Sequence, residues 1–212
     1  MFISLSRISL FFSGVNFVRL VRNALDCNSM VRLDRIYTKS GDKGKTSLGS
    51  GQRLFKFHPR IQAIGDVDEV NSFLGLIIAF ATDVTMIDLL QKIQNDLFDV
   101  GADLCMPDTK KIAITADYVV RLECAIDRYN ADLHPLTSFV LPGGTVVSTY
   151  LHLVRTVCRR AERSITALTQ EDTINPHLLS YINRLSDLFF VLARFANKGQ
   201  DILWEPQKWK TT

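Results

Sequence analysis

The sequence predicts an all-α fold: an up-down bundle of five long helices, ferritin-like in appearance, preceded by a glycine-rich loop. Three observations predict it. Between Arg60 and Gly199, apolar residues recur at spacings of three and four in five separate segments. The breaks between segments carry cap and stop residues, most plainly Asn175-Pro176 before the last helix and Asn197 and Gly199 after it. Strand-like stretches are confined to short pieces near 36–38 and 139–141. Helices with one apolar face bury it best against one another around a common core.

Composition bounds the rest. The chain has 212 residues, 47% of them hydrophobic and 22% charged, which suits one large globular domain. The formal charge is +3. Residues 1–33 carry Arg7, Arg19, Arg22 and Arg32 against Asp26 alone, so the whole excess lies there and the body is balanced. A balanced body argues against a nucleic-acid partner, which wants a basic face. Residues 1–33 read as a leader or an over-called extension, with Met30 an alternative start. The Arg- and Ser-rich, acid-poor composition of 1–29 is that of a mitochondrial transit peptide, and its uncharged run from Ile8 to Val18 is too short to span a bilayer. The expectation is a cytoplasmic protein, or one of the mitochondrial matrix if that leader is real, without a membrane anchor. Domain boundaries fall at 34–206 for the helical domain and 207–212 for a tail. Cys27, Cys105, Cys124 and Cys158 form no CxxC pair, and the four histidines show no metal spacing, so a dedicated protein metal site is not expected.

In chain order, Ile36 to Gly51 holds four glycines among Ser, Thr, Lys and Asp, a loop whose backbone can approach a ligand. It is not a P-loop, because Lys39 stands where GxxxxGK[ST] requires glycine. The first helix is expected from about Arg60 to Thr82, with Ile61, Ile64, Val67, Leu74 and Ile77 inward. Asp68 and Asn71 interrupt that face and need partners, in this chain or another, and Gly75 would allow close helix contact. The second runs about Thr85 to Leu104, and the third about Thr115 to Asp132 with Thr115 or Asp117 as cap. Phe139 to Thr145 is a break containing Pro142, Gly143 and Gly144. Phe139 there is either core or an aromatic plug facing a ligand. The fourth helix runs from Thr145 to Leu168, and the fifth from Asn175-Pro176 to Asn197. On one arc of the fifth stand Asn183, Asp187 and Arg194. The segment Ile202 to Pro206 should pack back on the bundle.

The fourth helix carries the chemistry. At about 100° per residue, Arg155, Arg159, Glu162 and Arg163 share one arc, while Val154, Val157, Cys158, Ala161, Ile165 and Leu168 form a separate apolar stripe. Arg160 points away from both. A solvated face laced with ion pairs is the plain alternative. One glutamate cannot neutralise three arginines, however, and arginine suits multidentate recognition of phosphate. The short connection from Thr169 to Ile174 sets this arc beside Asn183 and Asp187, so a nucleoside triphosphate fits, with Glu162 orienting an arginine or holding magnesium. No nucleophile–base pair is spaced for covalent attack, so the site positions and polarises.

Five motifs in order carry a resemblance: Tyr37-Thr38-Lys39-Ser40-Gly41-Asp42-Lys43-Gly44, Gly65-Asp66-Val67-Asp68-Glu69-Val70-Asn71, Phe139 to Thr145, Arg155 to Arg163, and Tyr181-Ile182-Asn183-Arg184-Leu185-Ser186-Asp187. Over about 35–206 the chain resembles the cob(I)alamin adenosyltransferases of the propanediol-utilisation type. The resemblance implies a homotrimer with sites between subunits, and ATP beneath the N-terminal loop with Mg2+. It also implies a cobalamin substrate whose Co(I) attacks the ribose C5′ and expels triphosphate. By motif, Thr38, Lys39, Ser40, Gly41, Thr46, Ser47 and Lys56 would line the nucleotide, completed by Arg159, Arg160, Glu162, Arg163 and Asn183. Asp68 and Arg155 would form an inter-subunit ion pair, and Phe139 would exclude the lower axial ligand of cobalt. Arg159, Arg163, Glu162 and Phe139 are the expected catalytic set. A cob(II)alamin reductase and an adenosylcobalamin-dependent mutase are the implied partners. Ser40 departs from the family's usual threonine but keeps the hydroxyl.

Overall fold

In a computed structural model, Tyr37 and residues 39–107 and 112–208 are described, and the expected leader lies outside them, as do Thr38 and most of the 207–212 tail. The described residues fall into two compact units, one ending at His58 and one beginning at Pro59.

The first unit is built on a small antiparallel hairpin, β1 (Lys45–Ser47) and β2 (Arg53–Phe55), with Thr46 opposite Leu54. The strand-like piece expected near 36–38 lies, apart from Tyr37, outside the described residues. Three-residue strands are too short to display an alternation; across this pair the Lys45 ammonium lies 4.5 Å from the Phe55 ring centroid, and the flanks close the turn. Gly44 (φ 74°) and Gly51 (φ 89°) take up backbone conformations that other residues resist. The Gly51 amide donates to the Leu48 carbonyl at 3.0 Å, closing the turn.

The second unit contains α1 (Pro59–Phe80), α2 (Val84–Cys105), α3 (Ala116–Asn130), α4 (Val146–Leu168) and α5 (Pro176–Ala196). All five expected helices are present, with ends within a few residues of the expected ones. The caps explain the ends. Asp83 accepts from the Met86 amide at 2.8 Å, Thr145 from Ser148 at 3.2 Å, and Asn175 from His177 at 3.0 Å. Thr115 occupies the cap position of α3, but its side chain makes no capping bond. Ile114 next to it is held by Asp103 and Asn175, and this cross-helix anchor sets the start of α3.

The core runs the length of the bundle, with Leu74, Ile77, Leu90, Leu97, Val154, Ile165, Leu185 and Phe189 buried. On α1 the inward residues are Ala63, Val67, Val70, Leu74 and Ile77, while Ile61 and Ile64 are only half-buried. That helix is apolar on most sides, so periodicity alone selects the face poorly. Asn71 finds a partner within the chain, donating to the Gln94 carbonyl at 3.1 Å. Gly75 is exposed, and a β-carbon there would meet only Gln94 Nε2, at 3.7 Å, so no close helix contact depends on it. Residues 202–204 fold back as expected. Leu203 bridges to Val140, the Leu141 amide donates to the Ile202 carbonyl at 2.8 Å, and the Trp204 amide donates to the Phe139 carbonyl at 2.7 Å.

Candidate active site

Helix α4 presents its charged arc beside α5. The fold brings Glu162 and Asn183 together: the Asn183 amide donates to Glu162 Oε1 at 2.9 Å. Glu162 therefore bonds across the helix pair and makes no ion pair with the arginines one turn away. Arg163 donates to the Arg159 carbonyl at 2.9 Å. Among the described residues the Arg159 guanidinium donates to none, and Arg155 Nε is buried without a partner. Burial first, and the charge of Arg159 second, lower the proton affinity of Arg155 below its ordinary value. Among the described residues none of Arg155, Arg159 and Arg163 forms an ion pair with a carboxylate, although the Asp187 carboxylate lies close enough to feel the charge of Arg159. A solvated face laced with i,i+4 ion pairs would look different.

The other carried-over residues divide. Arg160 leaves the arc and reaches α1, where it pairs with Glu69 and lies 3.6 Å from Asp66. Asp66 also accepts from Ser164 at 2.5 Å. Arg194 is removed from the arc altogether. It is buried, pairs with Asp201 at 2.8 Å and donates to the His134 carbonyl at 2.7 Å. Angular position alone misplaces it, because the chain turns back after α5 and covers that end of the helix. Asp187 stays exposed near the arc, its carboxyl raised by partial burial and lowered in part by Arg184 and Arg159. Asp68 is half-buried on α1, accepts no hydrogen bond from a described residue, and is likewise raised by burial.

Phe139 is not core. It is 78% exposed on the connector before α4, with its ring 6.0 Å from that of Trp204. The backbone bridge between Val140 and Leu203 holds this connector, with the ring open to solvent.

In the first unit, Lys39, Ser40 and Lys56 are exposed, Thr46 is buried and Ser47 half-buried. Lys39 has a positive φ of 58°. Arg53 holds the Ser40 carbonyl at 2.8 Å, and the Lys56 ammonium lies close against Gly41, where a β-carbon would come within 3.4 Å of it. That is an ordinary contact with the end of a flexible side chain, so Gly41 is not required for it.

No group of three or more His, Cys, Asp or Glu residues capable of holding a metal ion occurs among the described residues. Glu162 and Asp187 are the carboxylates beside the arc. Sequence reading singled out neither Glu123 nor Arg184, although Arg184 adjoins Asn183. Glu123 lies on α3 and gives no local signal of its connection to the arc. His152 was also overlooked; it is buried, with both ring nitrogens unpartnered.

A five-helix bundle that sets three arginines, none in a described ion pair, on one helix face has the local chemistry of an anion-binding helical scaffold. The chain belongs to the cobalamin adenosyltransferase family, whose profile matches residues 36–196. A corrinoid adenosyltransferase of Mycobacterium leprae is 45% identical over 190 residues, covering 83% of this chain and 98% of its own. The human corrinoid adenosyltransferase MMAB is 40% identical over 174 residues, covering 78% and 70%. A phenylalanine-to-alanine variant of a PduO-type ATP:corrinoid adenosyltransferase from Lactobacillus reuteri, solved with cobalamin and ATP, superimposes with a TM-score of 0.77 at 40% identity. It covers 80% of this chain and 99% of its own.

Proposed function

We propose that the chain transfers the 5′-deoxyadenosyl group of ATP to the cobalt of cob(I)alamin, giving adenosylcobalamin and triphosphate. The observation that carries this reading is the arc of Arg155, Arg159 and Arg163, none of which forms an ion pair with a described carboxylate, on a chain of this family. Co(I) supplies the electron pair for the new cobalt–carbon bond, and the C5′–O bond breaks with its electrons leaving on triphosphate. The nucleophile belongs to the substrate, so the protein needs no activated serine or cysteine. Its task is to stabilise the charge that grows on the leaving phosphates, which fixed guanidinium groups do well.

In this reading Arg159 and Arg163 meet the triphosphate, and the Glu162–Asn183 pair sets the polar edge that holds the nucleoside. Thr38, Lys39, Ser40, Gly41, Thr46, Ser47, Lys56 and Arg160 also contribute to nucleotide binding. Mg2+ accompanies the phosphates. Phe139 faces the corrinoid and keeps a lower ligand from cobalt, which favours the reduced, four-coordinate metal. Asp68 and Arg155, each with a polar requirement unmet among the described residues, pair between neighbouring subunits of a homotrimer. Cob(I)alamin must be supplied by one-electron reduction of cob(II)alamin, so a reductase acts before this protein, and an adenosylcobalamin-dependent mutase uses the product.

The test mixes the protein with MgATP and chemically reduced cobalamin. Formation of the adenosylcobalamin spectrum with one triphosphate released per corrinoid, over more than one turnover per site, is the expected result. Unchanged corrinoid in the presence of folded protein overturns the assignment, and a single equivalent bound without turnover indicates a carrier instead.

A further inference from the structure

We propose that Glu123 and Arg184 are positioning residues for the candidate active site, acting through Asn183. The inference rests on the reading that the arginine arc with Glu162 and Asn183 binds ATP. Three bonds link three helices in one line. On α3, Glu123 Oε1 accepts from Arg184 Nε at 3.0 Å. On α5, Arg184 Nη1 donates to Asn183 Oδ1 at 2.6 Å. From α5 to α4, Asn183 Nδ2 donates to Glu162 Oε1 at 2.9 Å.

The chemistry of the amide makes the order matter. An asparagine side chain can present either its oxygen or its NH2 group to a neighbour by rotating half a turn. Toward a carboxylate only the NH2 face is attractive. Arginine has donors and no acceptor, so Arg184 can bind only the amide oxygen and thereby turns the NH2 group to Glu162. Arg184 is itself a long, half-exposed side chain whose rotamers are costly to fix. Glu123 supplies the second anchor that holds the guanidinium plane across Asn183. Without it, Arg184 is free to swing to solvent, the amide loses its orientation, and Glu162 loses its one fixed donor beside Arg159 and Arg163.

The test measures steady-state KM for ATP and for corrinoid, together with kcat and melting temperature, in Glu123→Gln, Arg184→Lys, Asn183→Ala, Glu162→Gln and the Asn183→Ala double variants. Lysine keeps the charge of Arg184 but cannot fork between Glu123 and Asn183. Glu123→Gln and Arg184→Lys should each raise KM for ATP by about tenfold, through loss of substrate positioning. KM for corrinoid and the melting temperature should hardly move. In the Asn183→Ala background both effects should vanish, because the residue they act through is gone. If the two variants lower the melting temperature and leave KM for ATP unchanged, the pairs only staple α3 to α5 and the proposal fails. It fails equally if the Arg184→Lys effect persists in the Asn183→Ala background, since Arg184 would then touch substrate itself. If Asn183→Ala and Glu162→Gln leave ATP kinetics at the parent level, the reading of the arc falls, and the relay with it.

Discussion

Replacing Arg159 by alanine separates a ligand-facing arginine from a structural one. Its guanidinium is exposed and donates to no described residue, so truncation leaves no protein group unpaired. Alanine is at least as good a helix former, and removing one cation relieves the repulsion that Arg155 feels. The folding free energy should therefore change by no more than about 0.5 kcal/mol, as for surface substitutions without a partner. In a domain of this size that is a shift of about 2 °C or less in Tm. Turnover should respond quite differently. A preorganised donor aimed at developing charge is worth about 3–4 kcal/mol, or roughly 10²–10³ in kcat. The assay pairs adenosylcobalamin formation at saturating substrates with a thermal melt of the same preparation. A drop of many degrees in Tm, with turnover within a few-fold of the parent, would refute the reasoning and make Arg159 a structural residue.

Further outcomes follow from particular residues. Asp68→Arg or Arg155→Asp alone should shift the protein from trimer to monomer by sedimentation, and the double exchange should restore the trimer; singles that remain fully assembled count against the pair. Phe139→Ala should slow formation of Co(I) from Co(II) while leaving ATP affinity near the parent's, and equal reduction kinetics would remove its proposed role. Burial first and Arg155 second lower the His152 pKa from its ordinary 6.5, so the fold prefers the neutral ring. The stability this contributes is present above pH 6.5 and lost as pH falls through the lower folded value. His152→Phe should thus flatten the loss of Tm between about pH 7.5 and 5.5, and an unchanged slope would contradict the assignment. Gly144 has φ 107°, and a β-carbon there would collide with the Asn197 amide that ties Gly143 to Thr145. Gly144→Ala should cost about 2 kcal/mol or more in chemical denaturation, and a neutral result would mean the connector relaxes freely.

What was legible in the sequence follows from how local each cause is. Asn175-Pro176 and Thr145 announce helix starts because a cap needs only its own next three residues. The stripe of α4 was legible because its two faces differ sharply, and that of α1 was not because its faces hardly differ. The hairpin at 45–55 was missed because its pairing depends on turn glycines rather than alternation. Arg194 shares an arc with Asn183 and Asp187 on angle alone, and nothing before Asp201 in the chain reveals its buried partner. Glu123 was invisible for the same reason: its bond to Arg184 spans 61 positions.

The polar residues of α4 sort themselves by whether this chain completes them. Arg160 and Glu162 are satisfied, by Glu69 and Asp66 on one side and Asn183 on the other. Among the described residues Arg155 Nε has no hydrogen-bond partner and the Arg159 guanidinium donates to none. For Arg159, exposed to water, that costs little. For Arg155 it costs a buried, unpaired donor, made worse by a like charge one turn away, and a chain optimised to fold alone would gain by replacing it. Asp68 carries the complementary defect on α1, a partly buried carboxylate accepting no hydrogen bond from a described residue. Two defects of opposite charge on one chain cancel if neighbouring copies bring them together. On the proposed reading the same helix would use Arg155 to join subunits and Arg159 and Arg163 to meet the triphosphate, so that assembly and nucleotide binding would be coupled across about two turns of α4. Weakening the Asp68–Arg155 pair should accordingly lower ATP affinity even though neither residue needs to touch the nucleotide, and an ATP affinity independent of oligomeric state would break that coupling.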